Sequence, residues 1–450
     1  MRSIKTLVRC VLFTVIGLGV LPDRALAQDV APLRLSLEDA RMRAVIASHR
    51  LAEARATAAA AEAVVEIRQA ADRPLVGVSS GYTRTSHVIP FFVPGSTGAP
   101  VVTPTALYPD IPDNYRARLD LQWPIYNGGR TDALERAARA EASAAAAEIG
   151  SAQADLRLEV TRAFWAMVTA QSAAEVLRQS LARAEAHVED VRQRFTAGLV
   201  PPNEIASAEA QASRERMFLI EAENQRALAS AELARVIGVD LRQPIETIDT
   251  LELLPPAVSP LDTLVAEARS TRDERRALEL RVTAADEQQN AAEAGRRPTI
   301  SITSGFDYAR PNPRIFPRAD RWDDFWEAGV TVGWSLWDGG RTRAETLQAA
   351  NVAVATRQRL AEFDSVLALE VRQRMLEIDS GRAAVAAAAD SVRAAAEAQR
   401  VVNERYKAGV ISQTEALDAN VALLQAELDR TRAIASVRLA EARLDRALGR

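Results

Sequence analysis

Cysteine and histidine are the residues most often used for metal binding and covalent chemistry, and this 450-residue chain has few of them. Cys10 is the only cysteine, and His49, His87 and His187 are scattered, without the spacing of a metal site. The sequence also has no P-loop, no dinucleotide fingerprint and no cluster of nucleophile, base and orienting group. We therefore predict a protein that is not an enzyme and that uses no metal and no cofactor.

Charge and composition narrow the class of protein further. The formal net charge is −4, so there is no basic excess to release counterions from nucleic acid, and we expect no DNA or RNA partner. Hydrophobic residues make up 48% of the chain but aromatic residues only 5%. Such a composition, rich in alanine, favours long helices that pack closely together.

The N-terminus has the pattern of an export signal. Three basic residues within the first nine positions precede an apolar run from Cys10 to Leu21, and Ala25-Leu26-Ala27 provides the small residues of a cleavage site. We expect residues 1–27 to be a signal peptide; the alternative is an N-terminal membrane anchor. Because Cys10 lies at the start of the apolar run and does not follow it, we expect no lipid attachment there.

The rest of the chain is an internal duplication. Trp123-Pro-Ile-Tyr-Asn-Gly-Gly-Arg130 matches Trp334-Ser-Leu-Trp-Asp-Gly-Gly-Arg341 at an offset of 211 residues, and the match continues without a gap to Gly238 and Gly449. Upstream, Arg73-Pro74 matches Arg297-Pro298 at an offset of 224. We therefore predict a first repeat over 28–238, a linker over 239–257 in an equatorial region, and a second repeat over 258–450.

Each repeat contains two segments in which apolar and polar residues alternate as in β-strands. The predicted strands are 74–85 and 115–125 in the first repeat, and 298–309 and 327–337 in the second. One face of these strands is apolar, and its predicted lipid-facing residues are Val76, Val78, Tyr82, Leu119, Leu121, Trp123, Ile300, Ile302, Phe306, Val330, Val332 and Trp334. The alternative is a pair of half-exposed hairpins on a soluble domain.

The length of these strands favours a membrane location. About ten residues is the length that crosses a bilayer when a strand is tilted. Five of the six tryptophans lie in or beside the strands, near the expected interfaces. Four strands cannot close a barrel, so we expect several chains to share one.

The predicted helices are unusually long. Residues 131–197 and 342–408 would each form a helix about 100 Å long. The shorter helices 34–73, 203–237 and 412–448 flank them, and heptad-like spacing in the last one favours coiled-coil packing. A cytoplasmic coiled-coil structural protein is the alternative for this pattern.

Two glycines, Gly198 and Gly409, mark the turns between long and returning helices. Each is followed by an apolar pair, Leu199-Val200 or Val410-Ile411. An apolar pair at a surface-exposed tip indicates a docking role, although turn formation alone explains the glycines.

The paired Gly-Gly-Arg corners, the two Ala-Gly tips and the duplicated helix-strand-strand-helix order resemble the TolC-type outer-membrane efflux proteins, over essentially the whole mature chain. The resemblance implies an α+β membrane protein, a homotrimer that combines a long α-helical barrel of coiled-coil hairpins with a twelve-stranded β-barrel, four strands coming from each chain. It also implies location in the outer membrane of a Gram-negative bacterium, in contact with lipid and extending into the periplasm. The implied partners are a periplasmic adaptor (membrane fusion) protein and an inner-membrane pump or ABC transporter.

The resemblance also implies roles for residues at the tips. Phe195, Gly198, Leu199, Val200, Gly409, Val410 and Ile411 would face the adaptor. Glu204, Glu415 and Asp418 would form an acidic periplasmic entrance that favours cations, with Tyr406 at the constriction. Alternatively, these acids are ordinary first-turn helix residues stabilised by the helix dipole.

These observations together predict an exit duct that carries substrates from the adaptor and pump across the outer membrane. The alternatives are the outer-membrane component of type I protein secretion and, from a different class, a soluble periplasmic coiled-coil adaptor.

Overall fold

The computed structural model describes residues 31–93, 105–252 and 260–450; the predicted signal peptide 1–27 lies outside them. Eight α-helices and eight strands lie in these ranges. In chain order they are β1 (Leu33–Leu35), α1 (Leu37–Ala47), α2 (His49–Ala70), β2 (Leu75–Arg84), β3 (Phe91–Val93), β4 (Thr105–Tyr108), β5 (Asp113–Tyr126), α3 (Arg130–Thr196), α4 (Pro202–Ile237), β6 (Ile245–Thr247), α5 (Leu261–Thr271), α6 (Asp273–Glu293), β7 (Thr299–Arg310), β8 (Asp323–Gly333), α7 (Arg341–Lys407) and α8 (Gln413–Ala447).

Helices α3 and α7, each of 67 residues, form the long axis of the molecule. At a rise of 1.5 Å per residue each is about 100 Å long. Both begin after a left-handed glycine, Gly129 or Gly340. Towards one end, α3 packs against α2 and α6, and α7 packs against α6. Towards the other end, α3 packs against α4 and α8, and α7 packs against α8. Among the described residues, no helix is both long and apolar enough to cross a membrane.

The predicted single helix over 34–73 is wrong. Residues 33–35 form β1, which pairs in parallel with β6, and the helical part is divided at Ser48. The Ser48 hydroxyl accepts a hydrogen bond from the Leu51 N–H at 3.2 Å and so begins α2. A Cβ at Gly238 would lie 2.2 Å from the Cβ of Ala47, so the end of α4 fits closely against this break. Helical periodicity could not indicate a break that a distant glycine accommodates.

The same break occurs in the second repeat, between α5 and α6 at Arg272. A Cβ at Gly449 would lie 3.0 Å from the Thr271 carbonyl oxygen, so the chain after α8 fits against this break as Gly238 fits against the first. Two buried clusters surround these sites. The larger includes Leu35, Phe164, Leu233 and Ile237, and the smaller includes Leu367, Val371 and Leu448. The offset of 224 therefore relates the two helix breaks, and the offset of 211 relates the two glycines that pack against them.

The four long strands form one antiparallel sheet in the order β2-β5-β7-β8. Tyr82 pairs with Tyr115, Leu119 with Phe306, and Ile302 with Val330. One face is apolar and open to the surroundings; Val78 on it is 80% exposed. The edges of this sheet are β2 and β8. A short hairpin of β3 and β4 extends the loop between β2 and β5.

The predicted strand 327–337 is wrong at both ends. Strand β8 begins earlier, at Asp323, and ends at Gly333, so Trp334 and Leu336 lie beyond it. Gly333 pairs with Thr299, and the residue before Thr299 is Pro298, which has no N–H to extend the ladder. Trp334 instead donates its indole N–H to the Arg296 carbonyl at 3.0 Å. The corresponding Trp123 makes a similar bond to Asp72 but remains within β5, which has neighbours on both sides.

Candidate functional site at the helical tips

The two helical hairpins end in turns of the same geometry. Gly198 and Gly409 both have φ of +73°, where a side chain would be strained. The N–H groups of Leu199 and Val410 donate to carbonyls five residues back, at 2.9 and 3.0 Å, which is the Schellman ending of a helix. No atom lies within 4 Å of a Cβ built on either glycine, so backbone conformation rather than crowding requires glycine here.

The apolar residues after the glycines divide into two groups. Leu199 and Val410 are 74% and 65% exposed. Val200 and Ile411 instead turn inward and are half-buried against a cluster that includes Val191 and Ala416. Of each apolar pair, only the first side chain is therefore exposed.

The two tips are joined at a contact that we call the tip junction, formed by Arg194, Glu204, Tyr406 and Gln413. The Tyr406 ring is 5% exposed, and its hydroxyl donates to Glu204 Oε2 at 3.1 Å. The Gln413 amide donates to the Glu204 backbone carbonyl at 2.9 Å. Glu204, on the first hairpin, thus accepts hydrogen bonds from two side chains of the second hairpin.

Arg194 reinforces this junction from the other side. Its guanidinium lies 4.7 Å from the centre of the Tyr406 ring and donates to the Tyr406 and Lys407 carbonyls at 3.1 and 3.3 Å. Those carbonyls end α7, where the helix dipole favours a cation. An ion pair with Asp190 at 3.1 Å orients the same guanidinium. One arginine of α3 therefore caps the C-terminal end of α7.

Burial at the junction shifts the pKa of two side chains. Burial, followed by the hydrogen bond to Glu204, raises the pKa of Tyr406 to about 12, so the hydroxyl remains a donor throughout the physiological range. His187 packs against the Tyr406 ring at 5.5 Å, and burial lowers its pKa. Asp190 and Glu204 oppose that shift, whereas Arg194 adds to it. The surroundings of the junction therefore favour the neutral forms of Tyr406 and His187.

The three predicted entrance acids have different surroundings. Glu204 is half-buried in the tip junction, whereas Glu415 and Asp418 are exposed. Glu415 Oε1 accepts from the Ser412 N–H at 3.5 Å and from its hydroxyl at 3.3 Å, which begins α8. The structure brings Tyr406 to Glu204 but leaves Phe195 exposed on the first tip.

Sequence reasoning missed Arg194, Gln413 and His187. The duplication held a signal for Gln413, because the aligned residue in the first repeat is Pro202. Proline is an ordinary first residue of a helix, whereas a glutamine there carries a donor that needs a partner. Among the described residues, no group of three or more His, Cys, Asp or Glu side chains could hold a metal ion.

Paired helical hairpins about 100 Å long, joined through Gly-Gly corners to a sheet with an exposed apolar face, define a class of outer-membrane proteins. The chain belongs to the outer membrane efflux protein family, whose sequence model matches residues 42–239 and 264–450.

Individual relatives agree with this assignment. Protein CyaE of Bordetella pertussis is 27% identical over 245 residues, which cover 54% of this chain and about half, 51%, of CyaE. Outer membrane protein TolC of Vibrio cholerae is 22% identical over 75% of this chain and 77% of TolC. The crystal structure of the outer membrane protein VceC from Vibrio cholerae superposes with a TM-score of 0.73, at 20% identity, over 92% of this chain and 96% of VceC.

Proposed function

We propose that this protein is the outer-membrane exit duct of an efflux or secretion system and that several copies, three by resemblance to TolC-type proteins, form one duct. The observation that carries the proposal is the four-stranded sheet, which has strands long enough to cross a bilayer, one exposed apolar face and two edges without a neighbouring strand in the described chain. A monomer in water would leave this apolar face exposed to solvent.

The sheet edges support closure by further copies of the chain. Neighbouring strands are antiparallel across the sheet, so β8 of one chain can pair with β2 of the next and continue the alternation. Such a contact joins two different surfaces and closes into a ring when the rotation allows it. An even number of strands per chain makes every junction antiparallel.

The outer helices support the same arrangement. Helix α4 and helix α7 each expose large apolar side chains along their lengths: Met217, Phe218, Ile220 and Leu228 on α4, and Leu347, Val354, Val366, Leu369 and Leu376 on α7. Contact of α4 and α7 with helices of neighbouring chains would bury both rows and continue the ring through the helical part. The alternative of a soluble periplasmic adaptor is not favoured, because it leaves these rows and the sheet face in water.

The tips are the proposed entrance. A periplasmic adaptor, itself bound to an inner-membrane pump or ABC transporter, would contact Leu199 and Val410 together with Phe195 and the glycine turns. Docking would shift the coiled-coil packing and separate the groups of the tip junction, with energy supplied by the pump. Glu204, Glu415 and Asp418 of all subunits would surround the opening and favour cations.

The first experiment is detergent extraction and sizing of the chain from isolated outer membranes. We expect a trimer-sized particle in the outer-membrane fraction. A soluble periplasmic monomer would overturn the duct and favour the adaptor instead.

The docking role is tested by Gly198→Leu and Gly409→Leu. A leucine at φ of +73° costs about 1–2 kcal/mol of backbone strain and distorts the turn, so export should be lost while the trimer still assembles. Ile46→Asp changes an exposed apolar residue of α1, away from both tips, and should leave export unchanged. Normal export by both glycine variants would contradict docking at the tips.

A further inference from the structure

The polar face of the four-stranded sheet carries a network of charged side chains that the proposed function does not use. We call it the charge belt; its members are Arg116, Arg118, Asp120, Asp307, Arg314 and Glu327. Arg118 is the centre: its Nε donates to Asp120 at 2.6 Å, and its two terminal nitrogens donate to Asp307 at 2.6 Å and to Glu327 at 2.9 Å. One guanidinium therefore binds carboxylates on three strands.

Two further arginines complete the belt. Arg116 donates to the second oxygen of Asp307 at 2.6 Å, and Arg314 donates to Glu327 Oε2 at 3.1 Å. Arg314 comes from the loop between β7 and β8, and its guanidinium lies 5.6 Å from the Phe325 ring centre. Asp307 is only 2% exposed, so its charge depends on these arginines rather than on water.

The surrounding sequence leaves room for Arg118 to lie across the sheet. In the ladder, Arg118 faces Ser79 on β2 and Asp307 on β7, and the next position along β7 on the same face is Gly305. A Cβ at Gly305 would lie 2.7 Å from a terminal nitrogen of Arg118. Glycine at this position is what allows the guanidinium to reach from Asp120 to Glu327.

The belt lies on the face opposite the exposed apolar residues. Arg116, Arg118 and Asp120 alternate along β5 with Tyr115, Leu119 and Leu121, which belong to the apolar face. If the apolar face contacts lipid, as the proposed duct requires, the belt faces the interior of the barrel and is repeated in every subunit. Rings of charged side chains in such positions set which ions pass.

We propose that Arg118 is a selectivity-determining residue of the membrane part of the duct. This inference rests on the proposed function. The belt holds three cations and three carboxylates, so that it is neutral as a whole, and Arg118 is the cation that contacts all three carboxylates. The belt thereby allows cargo of either charge sign to pass the membrane segment, while the acids of the tips act separately at the entrance.

The experiment is a measurement of reversal potentials of the full-length purified protein in planar lipid bilayers under a KCl gradient. Arg118→Gln should leave the carboxylates in excess and shift the reversal potential towards that of K⁺, with a severalfold rise in the permeability ratio of K⁺ to Cl⁻. Glu327→Gln should shift it in the opposite direction, towards Cl⁻, because it leaves the arginines in excess.

Arg310→Gln is the matched control. Arg310 is paired with Asp320 at 2.8 Å, and it shares the ladder parity of the apolar face, so the same loss of charge occurs outside the belt. It should leave the reversal potential unchanged. If Arg118→Gln does not assemble, Glu327→Gln still tests the proposal, because its expected shift of the reversal potential has a defined sign.

The outcomes separate this inference from the proposed function. If the wild-type protein forms conducting channels but neither belt variant changes the reversal potential, the role of Arg118 is overturned and the duct remains intact. The same conclusion follows if both variants shift the reversal potential in the same direction. Purified protein that does not insert into the bilayer as an oligomer would overturn the duct, and the selectivity role with it.

Discussion

The two hairpin tips are copies of one sequence pattern, but their aligned residues make different contacts. Phe195 and Tyr406 occupy aligned positions, yet Phe195 is 42% exposed and Tyr406 is buried in the tip junction. Arg194 binds the end of α7, whereas the aligned Arg405 is exposed. Glu204 joins the tips, whereas the aligned Glu415 begins its own helix. The duplicated backbone therefore supplies two equal turns, and even identical residues such as Arg194 and Arg405 make different contacts in them.

The largest effect that separates the tips is expected from truncating their aromatic residues. Tyr406→Ala removes a buried ring and should lower the free energy of opening the tip by about 3–5 kcal/mol, whereas Phe195→Ala should change it by less than about 1 kcal/mol. Hydrogen exchange of amides in residues 190–205 and 400–415 measures this opening. Equal losses of protection in the two variants would show that the tips are equivalent.

The next effect concerns the arginine pair. Arg194→Gln removes the charged donor to the end of α7 and should cost about 1.5–3 kcal/mol of local stability. Arg405→Gln removes the same charge from the aligned, exposed position and should have little effect on exchange. If Arg405→Gln loosened the tips as much, net charge rather than the contacts of Arg194 would hold them.

A smaller change isolates the hydroxyl of Tyr406. Tyr406→Phe keeps the ring and removes the bond to Glu204, for an expected loss of about 1.5 kcal/mol. Phe195→Tyr adds a hydroxyl to the exposed partner position and should leave exchange unchanged. A conductance assay provides a second measure, because Tyr406→Phe should raise the open fraction of single channels and Phe195→Tyr should not.

The smallest effect is a dependence on pH. Burial lowers the pKa of His187 in the closed tip, so the closed tip is fully stabilised above the ordinary pKa of about 6.5 and loses stability as pH falls below it. We expect protection factors at the tips, corrected for intrinsic exchange, to decline between pH 7.5 and 5.5. His187→Gln should abolish that decline, and a decline that persisted in this variant would assign it to another group.

The sequence predicted those features that depend on local chemistry. Uninterrupted runs without proline indicated the two long helices, and Gly198 and Gly409 marked turns because a positive φ requires glycine. Alternation along β5 separated the apolar from the polar face. Glu204 and Tyr406 were identified through the duplication and the family resemblance, each without its partner.

What the sequence did not predict depends on contacts between distant residues. The break at Ser48 is paired with Gly238, and β8 ends at Gly333 because its neighbouring strand begins after Pro298. The bond between Tyr406 and Glu204 joins residues 202 positions apart, and no periodicity within either helix encodes it. Such pairs become visible only once the two hairpins lie side by side.

The open edges of the sheet also bear on how the protein is made. In the proposed duct, β8 of one chain pairs with β2 of the next; before that contact forms, a chain presents two ladders of unsatisfied backbone groups beside an apolar face, which is a template for aggregation. We therefore expect unassembled copies to aggregate unless they are held by a chaperone or degraded. If copies close into a ring as proposed, only the closed ring hides every edge.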